Sequence, residues 1–346
     1  MKKVNTLNKP IILVDSFAGP GIFKENSEEG SPIMICKIAE KYVPNNYMAI
    51  LVNKYKSHHD ELSISLNEFI KSKKAFTIHG SAVELLEELS KVVTNQTLFI
   101  YLDPFGLNGS DFNTLKKFLS RTKRHSTELL INLSIPTIIR YSCLQAIQKN
   151  GINSDIQKKH NIVSKALGGD YWKEILLDTN IQSKERQEKI INEYIKKLKE
   201  FMPYVGYCRV YEKDERSKLK YAIIHASRHP DAQFLMNDIM YDVYSQHIWE
   251  RYSTDTLFEQ LKWDDVIPEE YFQQLEADII KLVRVKGNIK RKNIWQLFTL
   301  HRFMRYHSKH FKSKISELVK RGVLGFNDSR KTGKLNDDSE LYLIKK

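Results

Sequence analysis

Cysteine is scarce: Cys36, Cys143 and Cys208 are the only three in 346 residues, far apart, with no CxxC and no Cys/His ligand spacing. That excludes a disulfide framework and a structural zinc site, and it fits a reducing compartment. No apolar run approaches the roughly 20 residues that a membrane span needs, so no membrane-spanning segment is expected. The basic start, MKKVNTLNKP, is followed by a strand-like IILVDSF rather than by a signal peptide's apolar core and small-residue cleavage site. A cytoplasmic location is therefore expected. Acidic residues are nearly missing from one stretch, Lys281 to Lys334, where sixteen Lys/Arg meet only Glu317 and Asp328. That stretch carries the whole formal excess of +13. Solvated faces usually mix signs, so a single-sign block on a folded segment points to a polyanion, here nucleic acid, DNA or RNA.

What is present is enough for a core. Hydrophobic residues make up 41% and aromatics 11%, which argues against disorder. The length suits one large domain and one small one.

The first 135 residues alternate β-rich runs with helical stretches. Strands are expected over Ile11–Phe17, Tyr47–Val52, Ala75–His79, Thr97–Leu102 and Glu128–Leu133, with helices over Ser31–Val43, Lys56–Lys71, Ala82–Val92 and Asp111–Ser120 between them. Such alternation implies an α/β fold with a parallel sheet covered on both faces. Residues 136–205 read as a helical insert. Val205–Glu212 and Leu219–Ala226 read as a hairpin closing the sheet, followed by a helix at Asp231–Tyr244. The first domain is thus expected over residues 1–250 and a linker over 251–269. Residues 270–346 hold three helices, the third over His307–Arg321 and ended by Gly322, and then a terminal hairpin. That order predicts a winged helix-turn-helix.

Two motifs carry chemistry. Asp15-Ser16-Phe17-Ala18-Gly19-Pro20-Gly21 follows the first strand, and ligands of open α/β sheets sit outside the carboxyl ends of strands. Gly19 and Gly21 let the backbone turn and approach a ligand. Lys24 stands where GxGxxG would have its third glycine, which favours S-adenosylmethionine over a dinucleotide. Asp103-Pro104-Phe105-Gly106 follows the fourth strand. An exocyclic base amine is a poor nucleophile, and Asp103 with the Pro104 carbonyl offers acceptors for its two hydrogens. Phe105 is placed to stack on an unpaired base.

DSFAGPG, Gly30-Ser31-Pro32, YLDPFG, ELLINL and YAIIHASRHP together resemble the three-Cys-motif partner family, methyltransferase-like proteins whose C-terminal segment is a winged helix. More distantly, the first and third elements resemble adenine-N6 methyltransferases that carry DPPY. The resemblance implies a Rossmann-like class I methyltransferase sheet, S-adenosylmethionine as cofactor, methyl transfer, and a radical-SAM-like three-Cys-motif protein as partner. It assigns Asp103, Pro104 and Phe105 to catalysis. Asp15, Phe17, Ala18, Gly19, Gly21, Asn53 and Ser81 are assigned to the cofactor. Asn53 and Ser81 stand where methyltransferases usually carry acids, so two readings stand: an active nucleic-acid amine methyltransferase, or a catalytically silent adaptor that recruits the partner to nucleic acid.

In the tail, Lys309 and Lys312 on the third helix and Arg330, Lys331 and Lys334 on the wing are the expected phosphate contacts, with Ser308 and Ser313 on the same outer face. His301, His307 and His310 lack partner carboxylates or cysteines at ligand spacing, so no metal is expected. Ser31 reads as a helix N-cap.

Overall fold

The computed structural model describes residues 9–23, 27–122, 126–212, 218–253, 264, 267–328 and 333–344. IILVD becomes β1 (Ile11–Asp15), buried at every position as a central strand requires. There follow α1 (Ser31–Tyr42), β2 (Tyr47–Asn53), α2 (Lys56–Ser65), α3 (Asn67–Lys71), β3 (Ala75–His79), α4 (Ala82–Val92), β4 (Thr97–Leu102), α5 (Phe112–Leu119) and β5 (Thr127–Leu133). The single helix expected over Lys56–Lys71 is broken at Leu66 (φ −106°, ψ 14°), a bend that keeps both Leu62 and Leu66 in the core. Five helices fill the next segment: α6 (Ile135–Ser142), α7 (Leu144–Asn150), α8 (Ser154–Leu167), α9 (Trp172–Leu176) and α10 (Ser183–Lys199). β6 (Tyr204–Tyr211) and β7 (Leu219–Ser227) complete a seven-stranded sheet of order β3-β2-β1-β4-β5-β7-β6.

Strands β1 to β5 pair in parallel, and β7 runs antiparallel to β5. The order 3-2-1-4-5 is that of a doubly wound sheet, and its direction of growth reverses between β1 and β4. That reversal leaves a crevice at the carboxyl ends of these two strands, because the connections leaving them go to opposite sides.

The sheet is not covered equally on its two faces, contrary to the expectation from sequence. Over β1 and β2, α1 and α2 bury one face in a cluster that includes Leu13, Ile33, Cys36, Leu51 and Leu62. Along β5, however, Leu129, Ile131 and Leu133 are buried while Glu128, Leu130 and Asn132 alternate with them half-buried. The same alternation marks Phe99 and Tyr101 on β4 and Tyr221 and Ile223 on β7. Parallel strands buried on both faces lose this period of two; here it survives, so one face is dry and the other half open.

The chain divides into two compact units, residues 1–205 with 209–229, and residues 206–208 with 230–346. The second therefore begins near Pro230, not at 250 or 270. The reason is α11 (Pro230–Ser253), whose buried polar side chains are answered from further along the chain. Gln233 Nε2 donates to the Thr299 carbonyl, Asn237 Nδ2 to the Tyr306 carbonyl, and Ser308 Oγ to Asp238. Most of the expected linker lies outside the described residues.

The second unit continues with α12 (Glu269–Lys286), β8 (Ile289–Lys290), α13 (Arg291–His301), α14 (Ser308–Lys320), β9 (Leu324–Asn327) and β10 (Glu340–Leu343). The terminal hairpin is a three-stranded antiparallel sheet of order β8-β10-β9, because the short β8 pairs with β10. Leu275, Ile279, Trp295, Phe311, Ile315 and Leu341 form its separate core. None of the described helices is long and apolar enough to cross a membrane.

Candidate functional site

The two chemistry-bearing motifs end adjacent parallel strands. Asp15 stands opposite Tyr101 in the β1–β4 register, so the glycine turn and Asp103 leave the sheet side by side at one edge. Backbone bonds hold the turn across three strands: Ser16 N–H donates to the Tyr101 carbonyl on β4, and Ala18 N–H to the Val52 carbonyl on β2. Gly21 has φ +95°, a left-handed value that glycine adopts without strain. A Cβ built on Gly19 meets no atom within 4 Å, so the backbone there faces open space. Phe17 packs edge-on against Gly109, where a Cβ would lie 2.8 Å from the ring.

Asp15 is fully buried. Its Oδ2 accepts from the Ser31 hydroxyl at 2.6 Å, and its Oδ1 from the Phe17 N–H at 3.1 Å. Burial pushes its carboxyl up to about 6, against the opposing effect of those two bonds; the negative charge of Asp103 adds to the rise. Ser31 is thus not the N-cap. Gly30 holds that place, and the Ser31 hydroxyl is used on Asp15 instead.

Asp103 is gripped at both oxygens. Asn132 Nδ2 on β5 donates to Oδ1 at 2.6 Å, and the Tyr101 hydroxyl donates to Oδ2 at 2.9 Å. Burial, then the charge of Asp103, pushes the Tyr101 phenol upward, so it remains a donor. Each carboxylate oxygen keeps a lone pair for a further donor. Pro104 is buried, and Phe105 is fully exposed beside it. Asn132 was missed from the sequence, where ELLINL reads as a strand and nothing marks one of its polar positions as facing Asp103.

Asn53 and Ser81, the two assigned positions where an acid is usual, behave differently from one another. Asn53 is buried, and its Nδ2 donates to the Gly19 carbonyl at 3.1 Å, so it braces the turn. Ser81 stands at the N-cap of α4 without a capping side-chain bond, half-buried, beside Gly80, whose built Cβ also meets nothing within 4 Å. Ser31, Tyr101, Asp103 and Asn132 line a cavity of about 320 Å³ on the half-open face of the sheet. No cluster of three His, Cys, Asp or Glu able to hold a metal occurs among the described residues.

In the second unit, the basic stretch is less free than its sequence suggests. Lys309 pairs with Asp264 and Arg302 with Asp278, while Arg291 meets Asp337 at 2.7 Å. Lys314 and Arg321 each reach both Glu276 and Glu317. Sequence distance hid these acids, because most lie outside the basic stretch. Ser308 is turned to Asp238 rather than outward, leaving Lys312 and Ser313 exposed on α14. Lys334 precedes β10; Arg330 and Lys331 lie outside the described residues. A hollow of about 510 Å³ beside α14 is lined by Asp264, Glu269 and Glu317 as well as by Lys309 and Lys314, a balance that does not favour an anion.

No family model and no curated protein matches the chain. Solved structures of similar outline include an O-methyltransferase from Bacillus cereus in complex with SAH, 12% identical, with a TM-score of 0.35 over 65% of this chain and 77% of that one. The O-methyltransferase TomG from Streptomyces achromogenes, in complex with SAM, is 10% identical, with a TM-score of 0.34 over 66% and 79%. A spermidine synthase from Thermotoga maritima is 8% identical, with a TM-score of 0.31 over 64% and 54%. At these scores the likeness carries no argument about activity, which has to come from the site itself.

Proposed function

We propose that the chain is an S-adenosylmethionine-dependent methyltransferase acting on a neutral N–H group, with an exocyclic base amine of nucleic acid as the target. The observation that carries this is the pairing of β1 with β4, which brings the open glycine turn and Asp103 to one edge at the topological switch point. The turn fits a cofactor: Gly19 and Gly80 both face open space, and the buried Asn53 fixes the Gly19 carbonyl. Phe17, Ala18, Gly19 and Gly21 would hold the cofactor by backbone approach, with Asp15 bracing the turn from below and Ser81 at the adenine end. When bound, the sulfonium supplies a methyl cation equivalent, leaving its electron pair on sulfur.

The remaining steps belong to the chain's own residues. Asp103, fixed by Asn132 and Tyr101, accepts one N–H of the amine, and the Pro104 carbonyl accepts the other. Both bonds draw the nitrogen lone pair out of the ring and aim it at the donor methyl. As the N–C bond forms, the surplus N–H proton passes to the Asp103 carboxylate and on to solvent. Phe105, fully exposed, is placed to stack on the target ring.

Helices α12, α13 and α14 with the three-stranded sheet support the reading of residues 270–346 as a winged helix-turn-helix, with Lys312 and Lys334 among the groups that meet phosphate. One observation favours the alternative, a silent adaptor serving a three-Cys-motif partner: Asn53 spends its side chain on the turn where methyltransferases usually place an acid.

Calorimetric titration with S-adenosylmethionine separates the two, since absence of heat at millimolar ligand would leave only the adaptor. Where binding is seen, Asp103→Ala is expected to keep it within about twofold and to abolish transfer of labelled methyl to single-stranded DNA or RNA. Undiminished turnover in that variant removes Asp103 from the mechanism.

A further inference from the structure

The half-open face of the sheet holds the 320 Å³ cavity, a volume at the lower end of the roughly 300–1,000 Å³ typical of ligand pockets. Its position is set by register. Tyr101 pairs with Leu130, and Asn132 with Ile223, so the inward side chains of β4, β5 and β7 form one continuous floor. The opposite wall is α1, from which Met34 and Ile38 project, 50% and 43% exposed although both are large and apolar. Scattered exposed apolar residues are ordinary, but these two face a shared concavity.

The chemistry of the cavity is graded along its length. At the carboxyl edge of the sheet stand Asp103 and Asn132, the same groups that make the candidate site. Just inside that edge the lining turns aromatic and aliphatic, with the rings of Phe99 and Tyr101, while Tyr221, which the antiparallel register carries past Asn132, adds a third ring at the edge itself. No Lys or Arg is among the described lining residues. A carboxylate with no compensating cation repels an anion, so a phosphate stays outside. The acceptors at the mouth select a donor, and the rings favour a flat partner.

We propose that this groove is the acceptor-substrate pocket, taking a flat, uncharged heteroaromatic ring by its apolar body with its N–H group on Asp103, any phosphate remaining outside. The proposal rests on the methyltransferase reading for its role, and on continuity with Asp103 for its occupant. Asn132 is a positioning residue here: it turns the Asp103 carboxylate toward the groove from the neighbouring strand.

The test uses the full chain and two isosteric probes, indole and benzofuran, which differ by one N–H. Ligand-observed NMR titration is expected to show indole binding about tenfold more tightly, the worth of one buried hydrogen bond. Asp103→Ala should erase that preference, and Ile223→Trp, which fills the groove from β7, should remove both probes. Met34→Trp approaches from the exposed side of α1 and gives the same readout if Ile223→Trp fails to fold. Equal binding of both probes to wild type, or probe binding undisturbed by a folded tryptophan variant, overturns the proposal, as does tighter binding of phenethylammonium than of indole. Displacement of indole by adenosine but not by an oligonucleotide identifies a free nucleoside as the source of the ring; displacement by single-stranded DNA identifies a strand. S-adenosylmethionine titration is a separate experiment, so failure of the cofactor reading and failure of the groove are distinguishable.

Discussion

Asp15→Asn is expected to make this protein more stable and less able to bind the proposed cofactor, S-adenosylmethionine. The Asp15 carboxyl is buried, and burial lifts it from an ordinary 3.8 to about 6. The folded state therefore holds this proton more tightly than the unfolded chain does. With respect to this group, stability is greatest below about pH 4, declines as pH rises toward 6, and stays level above that. At about 1.36 kcal/mol per pK unit, the loss by pH 7 is about 3 kcal/mol. Asparagine has nearly the same shape and can still accept from the Phe17 N–H and meet the Ser31 hydroxyl, but it has no charge to desolvate. Asp15→Asn should recover most of that 3 kcal/mol at pH 7, roughly a 6–12 °C rise in melting temperature for a unit of this size. Urea denaturation of wild type and variant between pH 4 and pH 8, followed by circular dichroism, gives the comparison directly. The wild-type curve should fall across the interval and the variant's should lose that component. A variant less stable than wild type at pH 7, or one with the same slope, would refute the assignment of the strain to Asp15. A strained acid retained beside the glycine turn is what a functional site is expected to carry, so calorimetry should find S-adenosylmethionine affinity reduced in the stabilised variant.

Three further outcomes follow from contacts in the structure. Gly109→Ala forces a side chain into φ +90° and sets its Cβ 2.8 Å from the Phe17 ring; a loss of about 2 kcal/mol or more in urea melts, with weaker cofactor binding, is expected. Asn53→Asp writes in the acid that methyltransferases usually have, yet it removes the N–H that Gly19 accepts from; stability should drop by about 1–3 kcal/mol, and a gain in cofactor affinity would show that Asn53 serves the ligand rather than the turn. A fragment of residues 230–346 should give a cooperative thermal transition, whereas residues 270–346 should melt earlier or not cooperatively, because removing α11 leaves the Tyr306 carbonyl and the Ser308 hydroxyl without the partners Asn237 and Asp238 supply. Equal melting of the two fragments would return the boundary to residue 270.

Local chemistry was enough for much of this protein. Short β-rich apolar runs and amphipathic stretches marked β1 to β5 and the helices between them, because a continuous apolar run suits a buried strand and an apolar stripe of helical period suits a helix packed on it. Glycines in a turn after the first strand and DPFG after the fourth marked the candidate site, since ligands of open α/β sheets sit outside the carboxyl ends of the strands. What the tertiary structure decided is everything that depends on which distant residues meet. The amide of Asn132 reaches Asp103 only because β5 lies beside β4, and Ser31 serves Asp15 only because the chain doubles back after Gly21. α11 belongs to the second unit because its polar side chains are satisfied there, which no composition change near Pro230 announces. The acids that neutralise Lys314 and Arg321 include Glu276, 38 and 45 positions earlier in the chain. Charge sums over a sequence window are blind to such pairings, since Coulomb energy follows distance in space. The half-open sheet face is hidden for the same reason: a strand's alternation says that one side is wetter, and only the assembled layers say that the wetter side is a groove ending at a carboxylate.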